Sequence, residues 1–251
     1  MTRDEAQLYA LVHDGTPGDV DFYVRFCGEG KRVLELGSGT GRVARALAKS
    51  GFEVTGLESD PGMLAEARAT PCSGLTLVEG DMRNFAFDAP FDRILIPFTG
   101  LYCLPDAGAL DACLSAARAH LAPGGLLAFD VYPADEFHAE SQPDDFPEDQ
   151  LDHVKDIVHE GKTLSVFERS SWEPEAARIE ATYVYRAADG STRAELTISH
   201  RYVLSKALWA ALERAGLSLL GLFGSFDGAP FDSESEVMIV VAELAEDPAA
   251  P

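Results

Sequence analysis

Basic residues are scarce in this chain. Twenty Lys and Arg stand against 42 Asp and Glu among 251 residues, so the formal net charge is −22 at pH 7. Affinity for phosphate polymers and for anionic membrane surfaces comes largely from Lys and Arg. The balance therefore argues against a nucleic acid or a membrane as a partner. We interpret the acidic excess as a solubility property rather than as steering of a cationic substrate.

Long apolar runs and paired cysteines are also missing. No unbroken apolar stretch approaches the roughly 20 residues that a membrane-spanning helix needs, and the first residues carry no apolar signal core. The cysteines have neither the spacing of a metal site nor that of a disulfide framework; they are Cys27, Cys72, Cys103 and Cys113. We expect reduced thiols, no metal ion and a cytoplasmic location.

The most informative segment that is present joins a buried strand to a glycine-rich turn. Apolar residues with β propensity begin at Val33, and glycines then alternate at Gly37, Gly39 and Gly41. Glycines allow the backbone to bend sharply with no side chain toward a ligand. Apolar residues at helical spacing follow, so the turn ends at a helix N-terminus, where free N–H groups face the ligand. This arrangement predicts a site for a nucleotide-like cofactor.

The glycine spacing separates two kinds of nucleotide site. The dinucleotide fingerprint needs its third glycine after a two-residue gap, and Arg42 occupies that position here. The spacing Glu35-x-Gly37-x-Gly39-x-Gly41 resembles instead the first motif of the class I S-adenosylmethionine-dependent methyltransferases.

Four later segments resemble further motifs of that family and follow in the family's order. They are the strand end at Glu58 with the helix start Ser59-Asp-Pro-Gly-Met63, the pair Asp81-Met82, the strand and exit Phe91 to Phe98, and the Pro-Gly-Gly turn within residues 121–130. Glu58 and Asp60 replace the Asp and Ser that are usual in the family, which are mild chemical departures. The resemblance covers residues 31–130 without a break.

The resemblance implies a role for the matched residues. Glu35 and the backbone of the glycine turn would hold the methionine end of S-adenosylmethionine, Glu58 both ribose hydroxyls, and Asp81 the adenine amino group. The residues assigned to the cofactor are Tyr9, Tyr23, Glu35, Gly37, Ser38, Gly39, Gly41, Arg42, Glu58, Ser59, Met63, Asp81, Met82, Pro97 and Phe98.

Candidates for the substrate side are less well defined. A general base helps if the nucleophile arrives protonated, and His200 and His138 are the candidates. Tyr102 and Arg201 are candidates for substrate contact, Arg201 as a clamp for a carboxylate. For each of these residues the alternative is a structural or surface role.

The strand and helix patterns predict an α/β fold. We expect a doubly wound, mostly parallel, seven-stranded Rossmann-like methyltransferase sheet with an antiparallel β insertion before the last helix. The predicted parts are a helical lead-in or lid (1–30), the cofactor-binding core (31–132), an acidic loop with the antiparallel insertion (133–203), and the C-terminal part of the core (204–251). Residues 133–150 hold seven acids, three prolines and no Lys or Arg, which is typical of a loop or lid.

An insertion at this place resembles the small-molecule branch of the family, the glycine and amino-sugar N-methyltransferase type, where it forms a wall of the substrate pocket. The fourth strand is followed by neither an Asn-Pro-Pro-Tyr-like motif nor a Pro-Cys nucleophile. We therefore expect methyl transfer to an amine, hydroxyl, thiol or carbon of a small metabolite, with S-adenosylhomocysteine as product.

Three alternatives stay open at this point. One is a reaction that uses the same cofactor without methylation, such as cyclisation of its aminobutyryl arm. Another is a catalytically silent cofactor-binding scaffold, and the third, disfavoured by Arg42, is a nicotinamide dehydrogenase. An exposed strand edge of the insertion would also allow a homodimer.

Overall fold

The structure is a computed structural model that describes residues 1–147 and 150–245 of the chain. Its helices and strands, in chain order, are α1 (Arg3–Val12), α2 (Asp19–Cys27), β1 (Arg32–Leu36), α3 (Arg42–Lys49), β2 (Glu53–Glu58), α4 (Pro61–Ala69), β3 (Leu75–Glu79), β4 (Phe91–Ile96), α5 (Ala107–His120), β5 (Leu121–Val131), α6 (Asp135–Glu140), β6 (Asp152–His159), β7 (Lys162–Glu173), β8 (Arg178–Ala187), β9 (Thr192–Arg201), α7 (Ser205–Arg214), β10 (Leu217–Phe223) and β11 (Met238–Leu244).

The main sheet has seven strands in the order β10-β11-β5-β4-β1-β2-β3. Strands β1 to β5 pair in parallel, whereas β11 runs antiparallel to β5 and β10 antiparallel to β11. The predicted fold class is thereby confirmed. The chain order reverses between β1 and β4, and ligands of such sheets bind beyond the carboxyl ends of the strands at that switch point.

Alternation along β1 divides the core between the two faces of this sheet. Leu34 and Leu36 join the cluster around α5 and α7, while Val33 joins the cluster around α2 and α3. Strand residues point alternately to opposite faces, so a strand covered on both sides is apolar throughout. Among the residues that the structure describes, no helix is long and apolar enough to cross a membrane.

A second sheet is antiparallel, in the order β6-β7-β8-β9. The patterns of β7, β8 and β9 indicate strands, and the turn Ala187-Ala-Asp-Gly190 joins β8 to β9, with Gly190 in the left-handed region at φ 83°. Strand β6 lies within the predicted insertion, but the sequence did not single it out as a separate strand. The acidic segment before it also contains the short helix α6, so its composition alone did not reveal its local structure.

Helix α1 connects the second sheet to the main domain. Leu8 and Val12 pack against apolar residues of β6 to β9, and Thr2 closes a capping box with Glu5 at the start of the helix. On its other side, Arg3 and Gln7 both donate to Glu66 of α4, at 2.9 and 2.8 Å. This double attachment holds the C-terminal half of α1 over the carboxyl edge of the main sheet.

Candidate functional site

A cavity of about 450 Å³ lies at the carboxyl ends of β1, β2 and β4. Ile198 of β9 also lines it, so the second sheet forms one of its walls. The predicted cofactor residues that line it are Tyr9, Gly37, Gly39, Glu58, Ser59, Met63, Asp81, Met82, Pro97 and Phe98.

The turn after β1 presents bare backbone to this cavity. Gly37 and Gly39 have φ values of 68° and 55°, in the left-handed region that favours glycine. A Cβ at Gly37 would lie 3.0 Å from the Cε atom of Met82, whereas a Cβ at Gly39 would meet nothing within 4 Å. A side chain at either position would therefore crowd Met82 or occupy the space of a ligand.

Glu58 connects this turn to the start of α4. One carboxylate oxygen accepts the Gly39 N–H and the other accepts the Asp60 N–H, both at 2.7 Å. A carboxylate has about four lone-pair sites, so these two bonds fix its orientation and leave capacity for two hydroxyl donors. Asp60 is the N-cap of α4, since its side chain accepts from the N–H groups of Gly62 and Met63.

Asp81 also lines the cavity, next to Met82 in the chain. Its carboxylate pairs with the exposed guanidinium of Arg83, whose Nε lies 2.9 Å from both oxygens. Hydrogen bonds from Arg83 are the main reason why the pKa of Asp81 is lowered. The carboxylate is thus an ionised acceptor next to an apolar surface formed by Met63 and Met82, which suits the edge and face of a purine.

Glu35 lies beneath the glycine turn rather than on the cavity surface. It is 3% exposed, and its Oε2 has no hydrogen-bond partner within the described residues. Burial raises the pKa of Glu35 to about 8, although the Arg42 guanidinium opposes the shift. A buried carboxylate oxygen without a donor fits a cofactor that brings a positive ammonium group to this turn, directly or through water.

Arg42, Ser38 and Gly41 do not line the cavity. The Arg42 guanidinium donates to both carboxylate oxygens of Asp19, at 2.9 and 2.5 Å, and so ties α3 to α2. Ser38 is buried, and Gly41 is the left-handed residue before α3, at φ 80°. These residues shape the turn without lining the cavity.

Asp130 is a site residue that the sequence reasoning missed. It is 4% exposed; its Oδ1 accepts from the Tyr23 hydroxyl at 2.5 Å and from the Phe98 N–H at 2.9 Å, and its Oδ2 accepts from the Thr99 N–H at 3.3 Å. Phe98 and Thr99 have φ values of 55° and 58°, a conformation that non-glycine residues adopt rarely. Asp130 therefore holds the Phe98 turn against the cavity. An acid at the end of β5 was the available signal.

The same contact explains the place of Tyr23. Its side chain is fully buried, and its hydroxyl is already engaged with Asp130. Tyr23 therefore supports the cavity through Asp130 and Phe98, and it does not line the cavity itself.

The structure corrects the two substrate candidates. Tyr102 is fully buried, and its hydroxyl lies 3.2 and 3.1 Å from the carbonyl oxygens of Tyr132 and Val203, so its polar atom faces the core. Arg201 lies opposite Arg178 in the β8–β9 ladder. Because strand residues alternate between faces, Arg201 lies on the face opposite to that of Ile198.

The two histidine candidates differ in position. His138 is held by the Tyr202 hydroxyl, 2.7 Å from its Nδ1, in an aromatic cluster with Trp172, away from the cavity lining. His200 lies two residues after Ile198 on β9 and therefore on the same face. Burial lowers the pKa of His200, so its imidazole is neutral at pH 7.

These features define a class of α/β protein that binds a nucleoside-containing cofactor. They are a switch point in a parallel sheet, a bare glycine turn, an acid at the end of β2 and another after β3. The unpaired oxygen of Glu35 would suit a cofactor that also carries a cationic group.

Comparison with known proteins identifies the family. Residues 33–125 match the family described as "Methyltransferase domain". The chain is 30% identical to a dTDP-3-amino-3,6-dideoxy-alpha-D-glucopyranose N,N-dimethyltransferase of Streptomyces fradiae, over 89% of this chain and 91% of that one. It also resembles the structure of the CcbJ methyltransferase from Streptomyces caelestis, with a TM-score of 0.78 and 26% identity over 93% of this chain and 92% of that one.

A further structural relative is solved with its cofactor. It is the S-adenosylmethionine-bound amino pentose methyltransferase CalS10 from Micromonospora echinaspora, with a TM-score of 0.67 and 25% identity over 94% of this chain and 95% of that one. The chain belongs to the class I S-adenosylmethionine-dependent methyltransferases. Its cofactor is S-adenosylmethionine, and the predicted family, activity and cofactor are confirmed.

Proposed function

We propose that this methyltransferase acts on an amine nitrogen of a small molecule. Ile198 of the second sheet lines the same cavity as Glu58 and Asp81, and this observation carries the proposal, because a wall at that place leaves room for a small acceptor only. The nature of the acceptor atom is supported by the relatives, whose names give an amino sugar and an amino pentose as their substrates.

The residues of the cavity would divide the binding between them. Glu58 accepts hydrogen bonds from the ribose hydroxyls, Asp81 accepts one from the adenine amino group, and Met82 packs beside the ring. Glu35 faces the ammonium end. Pro97 and Phe98 line the side toward the acceptor and exclude water.

The reaction needs little from the protein beyond this arrangement. S-adenosylmethionine supplies a methyl group already activated on a sulfonium. The nitrogen lone pair of the acceptor forms a bond to the methyl carbon as the carbon–sulfur bond breaks, and the surplus proton leaves the nitrogen. Holding the nitrogen in line with the methyl group lowers the barrier by several kcal/mol. The reason is that translational and rotational entropy is then lost on binding and not in the transition state.

Location and assembly belong to the same proposal. All four cysteines are free thiols, which suits the cytoplasm. We propose that the partner is a small molecule and not a nucleic acid, in line with the net charge of −22. A homodimer through the exposed edge of β6 is the alternative to a monomer. The predicted division into lead-in, core and insertion is retained as a description of roles, with the insertion as the acceptor-side wall.

An experiment with a panel of amines tests the proposed function. The protein is incubated with S-adenosylmethionine and amino sugars, including dTDP-3-amino-3,6-dideoxy-alpha-D-glucopyranose, and the products are identified by mass spectrometry. We expect S-adenosylhomocysteine together with an N-methylated sugar. Methylthioadenosine as the product would point to a non-methylating reaction, and methylation of hydroxyl acceptors alone would contradict the amine.

A further inference from the structure

A half-buried imidazole with one shielded, unbonded nitrogen lies beside the cavity. His13 directly follows α1, and its Nε2 is shielded from solvent with no hydrogen-bond partner in the part of the chain that the structure describes. Its ring centroid lies 4.3 Å from that of Tyr9, 4.7 Å from that of Tyr183 and 6.3 Å from that of Phe98. Tyr9 and Phe98 both line the cofactor cavity, so His13 lies just behind its wall.

A second polar group without a partner lies near the same turn. The hydroxyl of Tyr132, directly after β5, is also shielded and unbonded within the described residues. Its ring lies 6.0 Å from that of His200, and His200 shares the face of β9 that carries Ile198. Tyr132 also lines, with Thr99, a neighbouring cavity of about 750 Å³. His13 thus lies beside Phe98, and Tyr132 lies between Thr99 and His200.

Unbonded polar atoms at such a place call for an explanation. A buried donor or acceptor without a partner destabilises a protein by about 1 to 3 kcal/mol, and most buried polar atoms are therefore bonded. His138 shows the contrast, because its Nδ1 is bonded to Tyr202 at 2.7 Å within the core. Other shielded atoms without a partner lie elsewhere, such as those of Arg45 and Arg178, but those of His13 and Tyr132 lie near the Phe98–Thr99 turn, where a small molecule must approach.

We propose that His13 and Tyr132 form the polar part of the acceptor subsite, in which the His13 imidazole accepts a hydrogen bond from the acceptor N–H and the Tyr132 hydroxyl bonds a neighbouring polar group. The inference rests on the proposed function, because it takes the acceptor to be an amine. It assigns to α1 a contact with the acceptor that no sequence motif indicated.

The charge state of His13 suits this role. Burial lowers the pKa of His13 to about 4, with smaller contributions from His200 and Lys155 in the same direction and from Asp14 against it. A neutral imidazole keeps one lone pair, whereas a protonated one only donates. At pH 7 His13 therefore accepts from an amine N–H, and the lone pair of the amine remains free for the methyl group.

Three variants and a control test the proposal. H13F keeps an aromatic ring but removes the lone pair, H13Q keeps an acceptor of similar reach, and Y132F removes one oxygen. H153Q is the control, since His153 is an exposed residue of β6 that bonds only Asp156 among the described residues. For each protein, the affinity for S-adenosylhomocysteine is measured by calorimetry, and kcat/KM is measured with dTDP-3-amino-3,6-dideoxy-alpha-D-glucopyranose.

We expect H13F to lower kcat/KM about tenfold or more, the value that a lost hydrogen bond of ordinary strength implies. Y132F lowers it by a smaller factor, whereas H13Q retains most of the activity and H153Q all of it. The dissociation constant of S-adenosylhomocysteine stays within about twofold of the wild-type value in every variant, because none of the substituted groups contacts the cofactor.

Several outcomes would overturn the assignment. Equal kcat/KM in H13F and the wild type removes His13 from the subsite, and the same result in Y132F removes Tyr132. A loss in H13Q as large as in H13F shows that His13 acts through packing, as does a loss of cofactor affinity. Y132F provides the test if H13F does not fold. A wild-type protein that binds S-adenosylhomocysteine but methylates no amine overturns the proposed function, and the inference with it, before any variant is compared.

Discussion

At the scale of single residues, the site depends on carboxylates in very different surroundings. Glu58 is held by two backbone N–H groups and Asp81 by Arg83, so both are ready-made acceptors. Glu35 is buried with an unbonded oxygen. A carboxylate of that kind opposes folding when it is ionised, so its presence makes sense only if a ligand compensates.

Replacing Glu35 by Gln should therefore stabilise the free protein, increasingly so at higher pH. The folded-state pKa of Glu35 is raised from 4.5 to about 8, so its contribution to stability is fully present below 4.5 and is lost as the pH rises toward 8. Gln does not ionise. We expect the difference in melting temperature, E35Q minus wild type, to grow between pH 5 and pH 8, as measured by calorimetry without ligand. A difference that is constant over this range would contradict the burial argument.

Replacing Glu58 by Ala should weaken cofactor binding strongly. The variant loses the two charge-assisted hydrogen bonds that we propose Glu58 accepts from the ribose, worth about 1.5 to 3 kcal/mol each as an upper range, and also releases the Gly39 N–H. Glu53→Ala is the matched control, because its side chain is 73% exposed and pairs only loosely with Arg32, at 3.7 Å. The dissociation constant of S-adenosylhomocysteine is the measurement. An unchanged constant in E58A would refute the ribose assignment.

The sequence was informative about residues that belong to a contiguous motif. Gly37, Gly39, Glu58, Asp81, Met82 and Phe98 could all be predicted to line one cavity, and they do. His13, Asp130 and Tyr132 could not, because their roles depend on the packing of α1, β5 and β9 against each other. Tyr102 and Arg201 had suitable chemistry, but burial and strand alternation direct them elsewhere.

At the scale of elements, the acceptor side of the cavity depends most on the position of α1. This helix brings Tyr9 to the cavity and places His13, which follows it, beside Phe98. The N-terminal end of α1 is held by side-chain bonds. Asp4 accepts from His159 of β6 at 2.8 Å and from Arg193 of β9 at 2.9 Å. These bonds join the start of the helix to both outer strands of the second sheet.

Asp4→Asn should loosen α1 without much effect on global stability. Partly exposed ion pairs contribute about 0 to 1 kcal/mol, but local opening is sensitive to the few contacts that hold a terminal helix. We expect faster amide hydrogen exchange in residues 3–12 and an unfolding free energy within about 1 kcal/mol of the wild type. Asp111→Asn, which removes the surface pair with Arg214 at 2.7 Å, serves as control. Equal exchange in the two variants would show that Asp4 does not anchor the helix.

Element prediction succeeded where periodicity is strong. Strands alternate with helices from β1 to β5, and this pattern together with the last two strands predicted the topology of the main sheet. Strand β6 was not recognised from its sequence because it follows an acidic segment. Its exposed apolar residues, such as Val154 and Val158, give no clear alternation. An edge strand with one solvent-facing side depends on its neighbour β7 for its structure.

At the scale of the whole molecule, the dominant property is the net charge of −22. Like charges in excess destabilise the compact state by mutual repulsion, and salt screens interactions beyond about 8 Å at 0.15 M ionic strength. We expect the melting temperature of the free protein to rise from about 10 mM to about 150 mM sodium chloride. A fall over the same range would mean that attractive ion pairs outweigh the repulsion.

The most direct test of the central claim is calorimetric titration of the purified protein with S-adenosylmethionine, S-adenosylhomocysteine and NAD in parallel. We expect one site per chain for both adenosyl ligands and no binding of NAD, with E58A weakened and E53A unchanged. Failure of both adenosyl ligands to bind, or tight binding of NAD in their place, would contradict the assignment of the cavity around Glu58 and Asp81.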